Sequence, residues 1–156
     1  DAMESRGLGD VYKRQVAGNF IESDKNIVPS LLLELPIELK QRIHDNLQKP
    51  LEKWCGVDLT PTYVYGIREY REGSILNSHR DRKDTHIISA IINVYQEVSE
   101  EWPLEIEDHF YRKHEVFLEP GEVIFYESAR LLHGRPKELK GKSFANIFCH
   151  YMPKGV

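Results

Sequence analysis

Two histidines and one aspartate are the side chains of this sequence best suited to metal chemistry. His79 and Asp81 stand two positions apart, and in extended chain such residues point to the same side. A second histidine, His133, follows much later in the chain. Two imidazole nitrogens and one carboxylate on one face of a metal leave its other positions open, an arrangement that suits non-haem Fe(II). The pattern therefore predicts a metal site formed by His79, Asp81 and His133.

Other histidines and acids offer competing interpretations. Many His-x-Asp patterns are surface loops, and Asp84 with His86 could present the same pair of groups a few residues later. The remaining histidines lie among charged or helical neighbours and are interpreted as solvated or hydrogen-bonded structural residues: His44, His109, His114 and His150.

An amphipathic helix is predicted before these residues, over 36–54. Its apolar residues recur at steps of three or four, which gives one wet and one dry face; they are Leu39, Ile43, Leu47, Leu51 and Trp54. Pro36 suits a first helical turn, and Pro50 is expected to kink or divide the segment. The pattern indicates a helix packed on a larger body.

Short segments rich in Tyr, Val, Ile and Phe follow and are predicted to be strands. They cover residues 63–70, 86–95, 104–106, 114–118, 123–126 and 144–151. Turn residues bound each one, as in the Glu-Pro-Gly-Glu run at 119–122. This spacing favours a sandwich or barrel over a parallel sheet with crossover helices, so the chain should be mainly β with flanking N-terminal helices.

Composition narrows the class of protein. The chain has 156 residues, 40% of them hydrophobic, and a net charge of −4, which fits one globular domain and argues against a general nucleic-acid binder. The longest stretch without a formal charge, residues 85–96, is too short to span a bilayer. No secretory hydrophobic region is visible. Two cysteines, Cys55 and Cys149, are expected to be reduced buried thiols, so we expect a cytoplasmic protein.

Residues 1–15 are predicted to be a disordered or non-native tail, and residues 16–156 a single domain. The first 15 residues are polar and show no sustained period of 3.6 or 2. The run GLGDVYKRQ also looks like translated adapter sequence, in which case the native N-terminus would be missing.

The order of motifs around the triad points to a known family. YGIREYREG leads into HRD, the strand IISAIINV follows, PGE opens a segment that ends at His133, and GKSFAN begins the last strand. Over about residues 61–153 the sequence resembles the 2-oxoglutarate- and Fe(II)-dependent oxygenases, in particular their prolyl 4-hydroxylase-like branch.

The resemblance implies a fold, a metal and a cosubstrate. The fold would be a double-stranded β-helix, that is, a jelly roll of the cupin type, with His79, Asp81 and His133 binding iron. The cofactors would be Fe(II), 2-oxoglutarate, O₂ and ascorbate. The family also has a Lys or Arg beyond its distal histidine that pairs with the far carboxylate of 2-oxoglutarate. Lys142 fits best because Ser-Phe-Ala-Asn follows it, with Arg135 and Lys140 as rivals.

Further site residues follow from the same resemblance. Tyr70 matches a tyrosine near the cosubstrate, although core packing would also explain it. Asn93 is assigned to the cosubstrate site as well, at a position where many relatives have tyrosine or threonine. Trp102 is interpreted as a pocket wall or a buried anchor. Three arginines could line a substrate entrance or be solvated: Arg68, Arg80 and Arg130.

The implied activity is hydroxylation of an unactivated C–H bond. The resemblance favours a prolyl residue in a peptide or protein, with a free amino acid or other small metabolite as the alternative. Oxidative nucleobase demethylation is disfavoured by the acidic balance and by the lack of a basic strip interleaved with aromatic residues. A non-catalytic jelly-roll binding module is the alternative from another class, and the intact set of His79, Asp81, His133 and Lys142 argues against it.

Overall fold

The computed structural model describes residues 13–16 and 28–155, the first four by their backbone only. The predicted tail therefore lies outside the described residues, except that residues 13–15 belong to the first strand. The elements in chain order are β1 (Lys13–Val16), β2 (Ser30–Leu33), α1 (Ile37–Cys55), β3 (Leu59–Tyr70), β4 (Leu76–His79), β5 (Ile88–Val98), β6 (Leu104–Glu107), β7 (Lys113–Val116), β8 (Val123–Tyr126), β9 (His133–Arg135) and β10 (Gly141–Pro153).

The strands form two antiparallel sheets. One has the order β1-β2-β3-β10-β5-β8, and the other has the order β4-β9-β6-β7. Apart from the β6–β7 hairpin, successive strands from β3 to β10 alternate between the two sheets as in a jelly roll, so the predicted mainly β double-stranded β-helix is confirmed. Ile91 of β5 and Tyr126 of β8 are buried with Leu104 and Ile106 of β6, which places apolar packing between the two sheets.

The predicted helix is confirmed as α1, which covers the outer face of the larger sheet. Leu51 is fully buried, and Ile43 and Leu47 pack beside it against a cluster that includes Val64 and Tyr151. Gly56 ends the helix in the left-handed conformation, and its N–H donates to the Glu52 carbonyl at 2.8 Å. Burial of the apolar stripe therefore holds the helix on the sheet.

The helix prediction is wrong in part. Of the two effects expected of Pro50, a division of the segment does not occur, because α1 is one continuous helix. Pro50 is exposed, so water can satisfy the carbonyl that its missing N–H leaves without an intrahelical partner. Leu39 and Trp54 were placed on the dry face but are exposed. The described part of the chain has one helix, where the prediction allowed for more than one.

A bulge in β3 decides which side chains of that strand face the space between the sheets. The pairing of β3 with β10 shifts register between Ile147 and Cys149, next to Gly66. Val64 and Ile67, on either side of the shift, both pack toward α1. The extra residue therefore allows Tyr65 and Arg68 to face the opposite side together.

All of the predicted strands have a counterpart in the structure, and those at 86–95, 104–106, 114–118 and 123–126 correspond to β5, β6, β7 and β8. The segments at 63–70 and 144–151 are confirmed as parts of β3 and β10, which extend further than predicted. The strands β2, β4 and β9 were not predicted as such. Cys55 and Cys149 are free, as expected, but only Cys149 is buried, because Cys55 is partly exposed at the end of α1. Within the described ranges no helix has both the length and the apolar character needed to cross a membrane.

We expect Gly66→Ala to lower the free energy of unfolding by about 1–3 kcal/mol more than Gly121→Ala does. Both glycines have a positive φ, +106° and +91°, which alanine adopts only with strain, so both variants are destabilised by the backbone conformation. A Cβ at Gly66 would also collide with the Leu33 carbonyl oxygen, whereas nothing lies within 4 Å of one at Gly121. Urea titration followed by circular dichroism measures both losses, and equal losses would contradict this account of the bulge.

Candidate metal centre

The pairing of two short strands brings the predicted triad together. His79, the last residue of β4, lies opposite His133, the first residue of β9, and the ring centroids are 4.4 Å apart. The Asp81 Oδ1 atom lies 3.2 Å from the Nε2 atom of His79 and 3.4 Å from that of His133. One ligand atom from each residue lies within 4.8 Å of the other two. The structure therefore places the three predicted metal ligands at one point.

Backbone carbonyls fix which nitrogen of each imidazole faces Asp81. The Nδ1 atom of His79 lies 2.9 Å from the Asn77 carbonyl oxygen, and that of His133 lies 2.9 Å from the Leu131 carbonyl oxygen. A carbonyl oxygen can only accept, so both Nδ1 atoms carry the proton. In the neutral rings the Nε2 lone pairs then point at a carboxylate, which is repulsive unless a proton or a cation lies between them. This is the donor arrangement of a metal site.

The charges within the triad agree with this geometry. Burial raises the pKa of Asp81, but its hydrogen bonds with His133 and His79 outweigh burial and hold the pKa well below its ordinary value. Burial lowers the pKa of His79, but its hydrogen bonds to Asp81 and to the Asn77 carbonyl, together with the Asp81 charge, outweigh burial and raise the pKa overall. The ionised carboxylate thus attracts positive charge to the position that a metal ion would take.

The loop that carries Asp81 is tied to the loop before β9. The Asp81 N–H donates to the Ser128 carbonyl at 2.8 Å, and the Arg80 Nε–H donates to the Arg130 carbonyl at 2.9 Å. These bonds hold the carboxylate just beyond the end of β4 at the distance needed to face His133. Arg80 and Arg130, predicted near a substrate entrance, lie on these two loops.

The triad lines a cavity of about 270 Å³ between the two sheets. Its other walls are mainly aromatic, aliphatic and cationic, and they include Tyr70, Arg68, Arg135, Ile91 and Phe148. Tyr70 is buried and packs edge-on against Trp102 with ring centroids 5.5 Å apart, so it serves both packing and the cavity wall. Trp102 is a buried anchor, because its Nε1–H donates to the Lys137 carbonyl at 2.6 Å.

Two of the predicted cosubstrate residues lie away from the cavity. Lys142 leaves 83% of its side-chain surface exposed, and its Nζ lies 3.6 Å from the Glu97 carboxylate. Asn93 is buried, but its amide donates to the Asn146 Oδ1 at 2.9 Å, and it does not line the cavity. The rival Lys140 lies near Glu138 at 3.8 Å. The geometry therefore does not bring these residues to the triad.

Arg135, the other rival, points into the cavity. It is 2% exposed, its Nη1–H donates to the Trp102 carbonyl at 2.6 Å, and its guanidinium lies 4.9 Å and 4.8 Å from the ring centroids of Trp102 and Phe144. Its Nη2 is buried, and no described residue accepts a hydrogen bond from it. Burial lowers its pKa to about 10, which still leaves it charged at neutral pH. A buried cation with an unused donor fits an anionic group.

The remaining histidines separate into three groups. His44 donates to the His150 carbonyl at 3.2 Å, in keeping with its structural interpretation. His109 and His114 form exposed pairs with Glu127 and Asp108, in keeping with their structural interpretation. The alternative Asp84–His86 metal pair is not formed, because Asp84 binds Arg82 at the surface. His86 and His150 instead line the cavity, a role that sequence reasoning missed. The alternation along β10 that places Phe148 inward could have indicated His150.

The fold of this chain is shared with solved structures of other proteins. No protein-family model and no curated protein sequence matches the chain. A 2OG-Fe(II) oxygenase family oxidoreductase from Burkholderia pseudomallei superposes with a TM-score of 0.72 at 11% identity, over 92% of this chain and 74% of that chain. The chain has the fold of the 2-oxoglutarate oxygenases. The predicted resemblance is confirmed at the level of the fold.

Two further structures share the architecture. A prolyl-4-hydroxylase from Pseudomonas putida superposes with a TM-score of 0.55 at 12% identity, over 97% of this chain and 78% of that chain. A predicted oxalate decarboxylase from Thermotoga maritima superposes with a TM-score of 0.50 at 10% identity, over 97% and 99% of the two chains. At these identities the likeness establishes the jelly roll alone.

We expect the protein to bind one Mn(II) ion, used as a stand-in for Fe(II), and the variant His133→Ala to bind it more than about a hundredfold more weakly. Loss of even an outer partner of a metal ligand costs about 10–100-fold in affinity. His114→Ala is the matched control, because His114 also lies 2.9 Å from an aspartate oxygen, at the surface and outside the triad. Isothermal titration under nitrogen measures all three affinities. Equal affinity in the parent and the His133 variant would remove the assignment.

Proposed function

We propose that this protein is an Fe(II)- and 2-oxoglutarate-dependent dioxygenase that hydroxylates an unactivated C–H bond. The observation that carries the proposal is the meeting of His79, Asp81 and His133 in a cavity that also contains the buried, incompletely bonded Arg135. One end of the cavity can hold a metal, and another position can hold an anion. Such a pair of sites fits a cosubstrate with a metal-chelating group and a separate carboxylate.

The donor set supports Fe(II) as the metal. Two imidazole nitrogens and one carboxylate oxygen are the ligands of the facial triad found in non-haem Fe(II) oxygenases. Both Nδ1 atoms are engaged by carbonyls, so the Nε2 lone pairs are available to the metal. The described residues offer no fourth ligand in this group, which leaves coordination positions for small molecules.

Arg135 supports a dicarboxylate cosubstrate. An unpaired buried charge is costly, and an incoming carboxylate would offset that cost through charge-assisted hydrogen bonds. The Trp102 and Phe144 rings hold the guanidinium in place before the anion binds. We therefore assign to Arg135 the role that the sequence alone assigned to Lys142. Tyr70, which lines the same cavity, stays in the proposed cosubstrate site.

When bound, Fe(II) with 2-oxoglutarate and O₂ supplies the oxidation of the C–H bond, and the cosubstrate leaves as succinate and CO₂. The triad side chains would hold the metal, and Arg135 would orient the cosubstrate by its far carboxylate. The apolar walls formed by Ile91, Leu104 and Phe148 limit the access of water. The protein thus positions the metal and the cosubstrate and excludes solvent from them.

A prolyl residue in a peptide or protein is the proposed primary substrate. The fold shared with the Pseudomonas putida prolyl-4-hydroxylase supports this choice. The test is aerobic incubation with Fe(II), ascorbate, 2-oxoglutarate and a panel of proline-containing peptides and free amino acids. We expect succinate release and a peptide product heavier by one oxygen atom. Oxidation of free amino acids but of no peptide would favour the alternative substrate class. Absence of succinate release with every substrate would refute the proposed dioxygenase activity.

We expect Arg135→Gln to raise the KM for 2-oxoglutarate by about 10–100-fold, since a hydrogen bond to a charged group contributes about 1.5–3 kcal/mol. Lys142→Ala should leave this KM within about twofold, because Lys142 faces solvent and Glu97. Steady-state succinate formation measures both, and Mn(II) titration of each variant shows whether the metal site is intact. A larger increase of the KM in Lys142→Ala than in Arg135→Gln would show that Lys142, not Arg135, binds the far carboxylate of 2-oxoglutarate.

A further inference from the structure

Four rings pack together between the surface and the cavity beside the triad, with the two tyrosines outermost and the two histidines innermost; we call them the aromatic row. Tyr63 and Tyr65 are stacked with centroids 5.4 Å apart, and His86 lies 5.8 Å from each of them. His150 lies 5.7 Å from Tyr65 and 3.9 Å from His86. Exposure falls along this aromatic row, from 46% at Tyr63 to 3% at His150. Tyr65, His86 and His150 line the same cavity as the triad. None of them has a role in the metal site or the carboxylate site described above.

A chain of buried hydrogen bonds fixes the tautomer of His150. The Ser128 O–H donates to the His86 carbonyl at 2.8 Å, so Ser128 has no second proton to give. Ser89 lies 2.5 Å from Ser128 and must therefore donate to it. The Nδ1 atom of His150, 2.6 Å from the Ser89 oxygen, must then donate to Ser89. This order of donors leaves the Nε2 atom of His150 without a proton in the neutral ring.

His150 is neutral around pH 7. Burial, helped by the neighbouring His86, lowers the pKa of His150 to about 3. The His150 side chain is bonded through Nδ1, and no described residue makes a hydrogen bond with its Nε2 atom. Because His150 lines the cavity, the inner end of the aromatic row offers a fixed, unused hydrogen-bond acceptor there.

We propose that the aromatic row is the binding groove for the primary substrate and that the His150 Nε2 atom accepts a hydrogen bond from a backbone N–H of a bound peptide. This inference rests on the proposed oxygenase function and adds a specificity-determining residue to it. A substrate that buries its N–H next to His150 satisfies both groups, whereas one without a donor leaves the acceptor unpaired.

The extent and chemistry of the row favour a peptide over a small metabolite. The row continues from the cavity to two exposed, stacked tyrosines, so an occupant that covers it must reach the surface. Flat aromatic faces pack well against proline rings and peptide planes, as in other grooves that bind extended proline-containing chains. Proline itself has no backbone N–H, but the residues before and after it each carry one unless they are also prolines. A proline-containing peptide can therefore offer a donor next to the proline ring.

The first experiment reads the tautomer directly. The Zn(II)-loaded full-length protein, labelled with ¹⁵N in histidine, is compared with the His150→Gln variant so that the His150 signals are assigned by difference. We expect a protonated Nδ1 and an unprotonated Nε2, because ¹⁵N shifts separate these two kinds of ring nitrogen. A proton on Nε2 would overturn the proposal, since that atom could not then accept.

The second experiment pairs a change in the protein with a change in the peptide. Acetyl-Ala-Pro-Ala-amide is compared with analogues that carry an N-methyl group on the residue before or after proline, by titration under nitrogen with Fe(II) and 2-oxoglutarate present. For the parent protein, we expect one of the two methylated analogues to bind about tenfold more weakly than the unmethylated peptide. For His150→Leu, the same analogue should bind no more than about threefold more weakly than the unmethylated peptide. His150→Gln, whose carbonyl oxygen can accept, should restore part of the difference.

Each result is decisive for the inference. An equal effect of methylation on the affinities of the parent protein and of His150→Leu would overturn it. So would the absence of binding by all of the peptides, the unmethylated one included. A general loss of packing in the variant would weaken all peptides alike and would not erase the difference between them. Succinate release by the parent protein tests the oxygenase function separately, so the two proposals can fail independently.

Discussion

The centre of this structure depends on the register of one strand pair. β4 and β9 are short, yet their antiparallel pairing places His79 directly opposite His133 and lets Asp81, just beyond the strand, reach both imidazoles. A shift of one residue would turn one ring to the other face of the sheet. The hydrogen bonds from Asp81 to Ser128 and from Arg80 to Arg130 hold the loops at the same end. Much of the fold around the site can be understood as support for this register.

The second constraint is the cost of burying charge. Asp81 and Arg135 both line the cavity, and Arg135 has no carboxylate partner among the described residues. Aromatic rings and one carbonyl stabilise the guanidinium only in part. In the neutral imidazoles the Nε2 lone pairs would oppose the Asp81 carboxylate unless a proton or a cation lay between them. Both mismatches have the same physical character, because each leaves a buried charge that a ligand of opposite sign would satisfy. The protein retains unfavourable electrostatics where a metal and an anion would remove them.

The sequence predicted the parts of the site that depend on local spacing and the parts of the fold that depend on long apolar patterns. The sequence pattern predicted the strands β3 and β10 and the apolar stripe of α1. The spacing of His79 and Asp81 predicted that these two side chains lie close together. β4 and β9 were not, because Leu-Asn-Ser-His and His-Gly-Arg have almost no strand propensity and form only through pairing in the sheet. The choice between Arg135 and Lys142 depends on which cation is buried, and only tertiary packing decides that.

The cavity also shows how one residue type is given different tasks. In their neutral rings, His79, His133 and His150 each have an unprotonated Nε2 atom. In the first two a backbone carbonyl accepts a hydrogen bond from Nδ1–H, and in the third a serine oxygen does. A metal needs several ligand atoms within reach of one point, and the described residues meet that condition at Asp81 with His79 and His133. His150 lacks such partners, so its lone pair is suited to a hydrogen-bond donor. The hydrogen bonds behind each ring prepare the acceptor, and the carboxylate determines which acceptors can hold a metal ion.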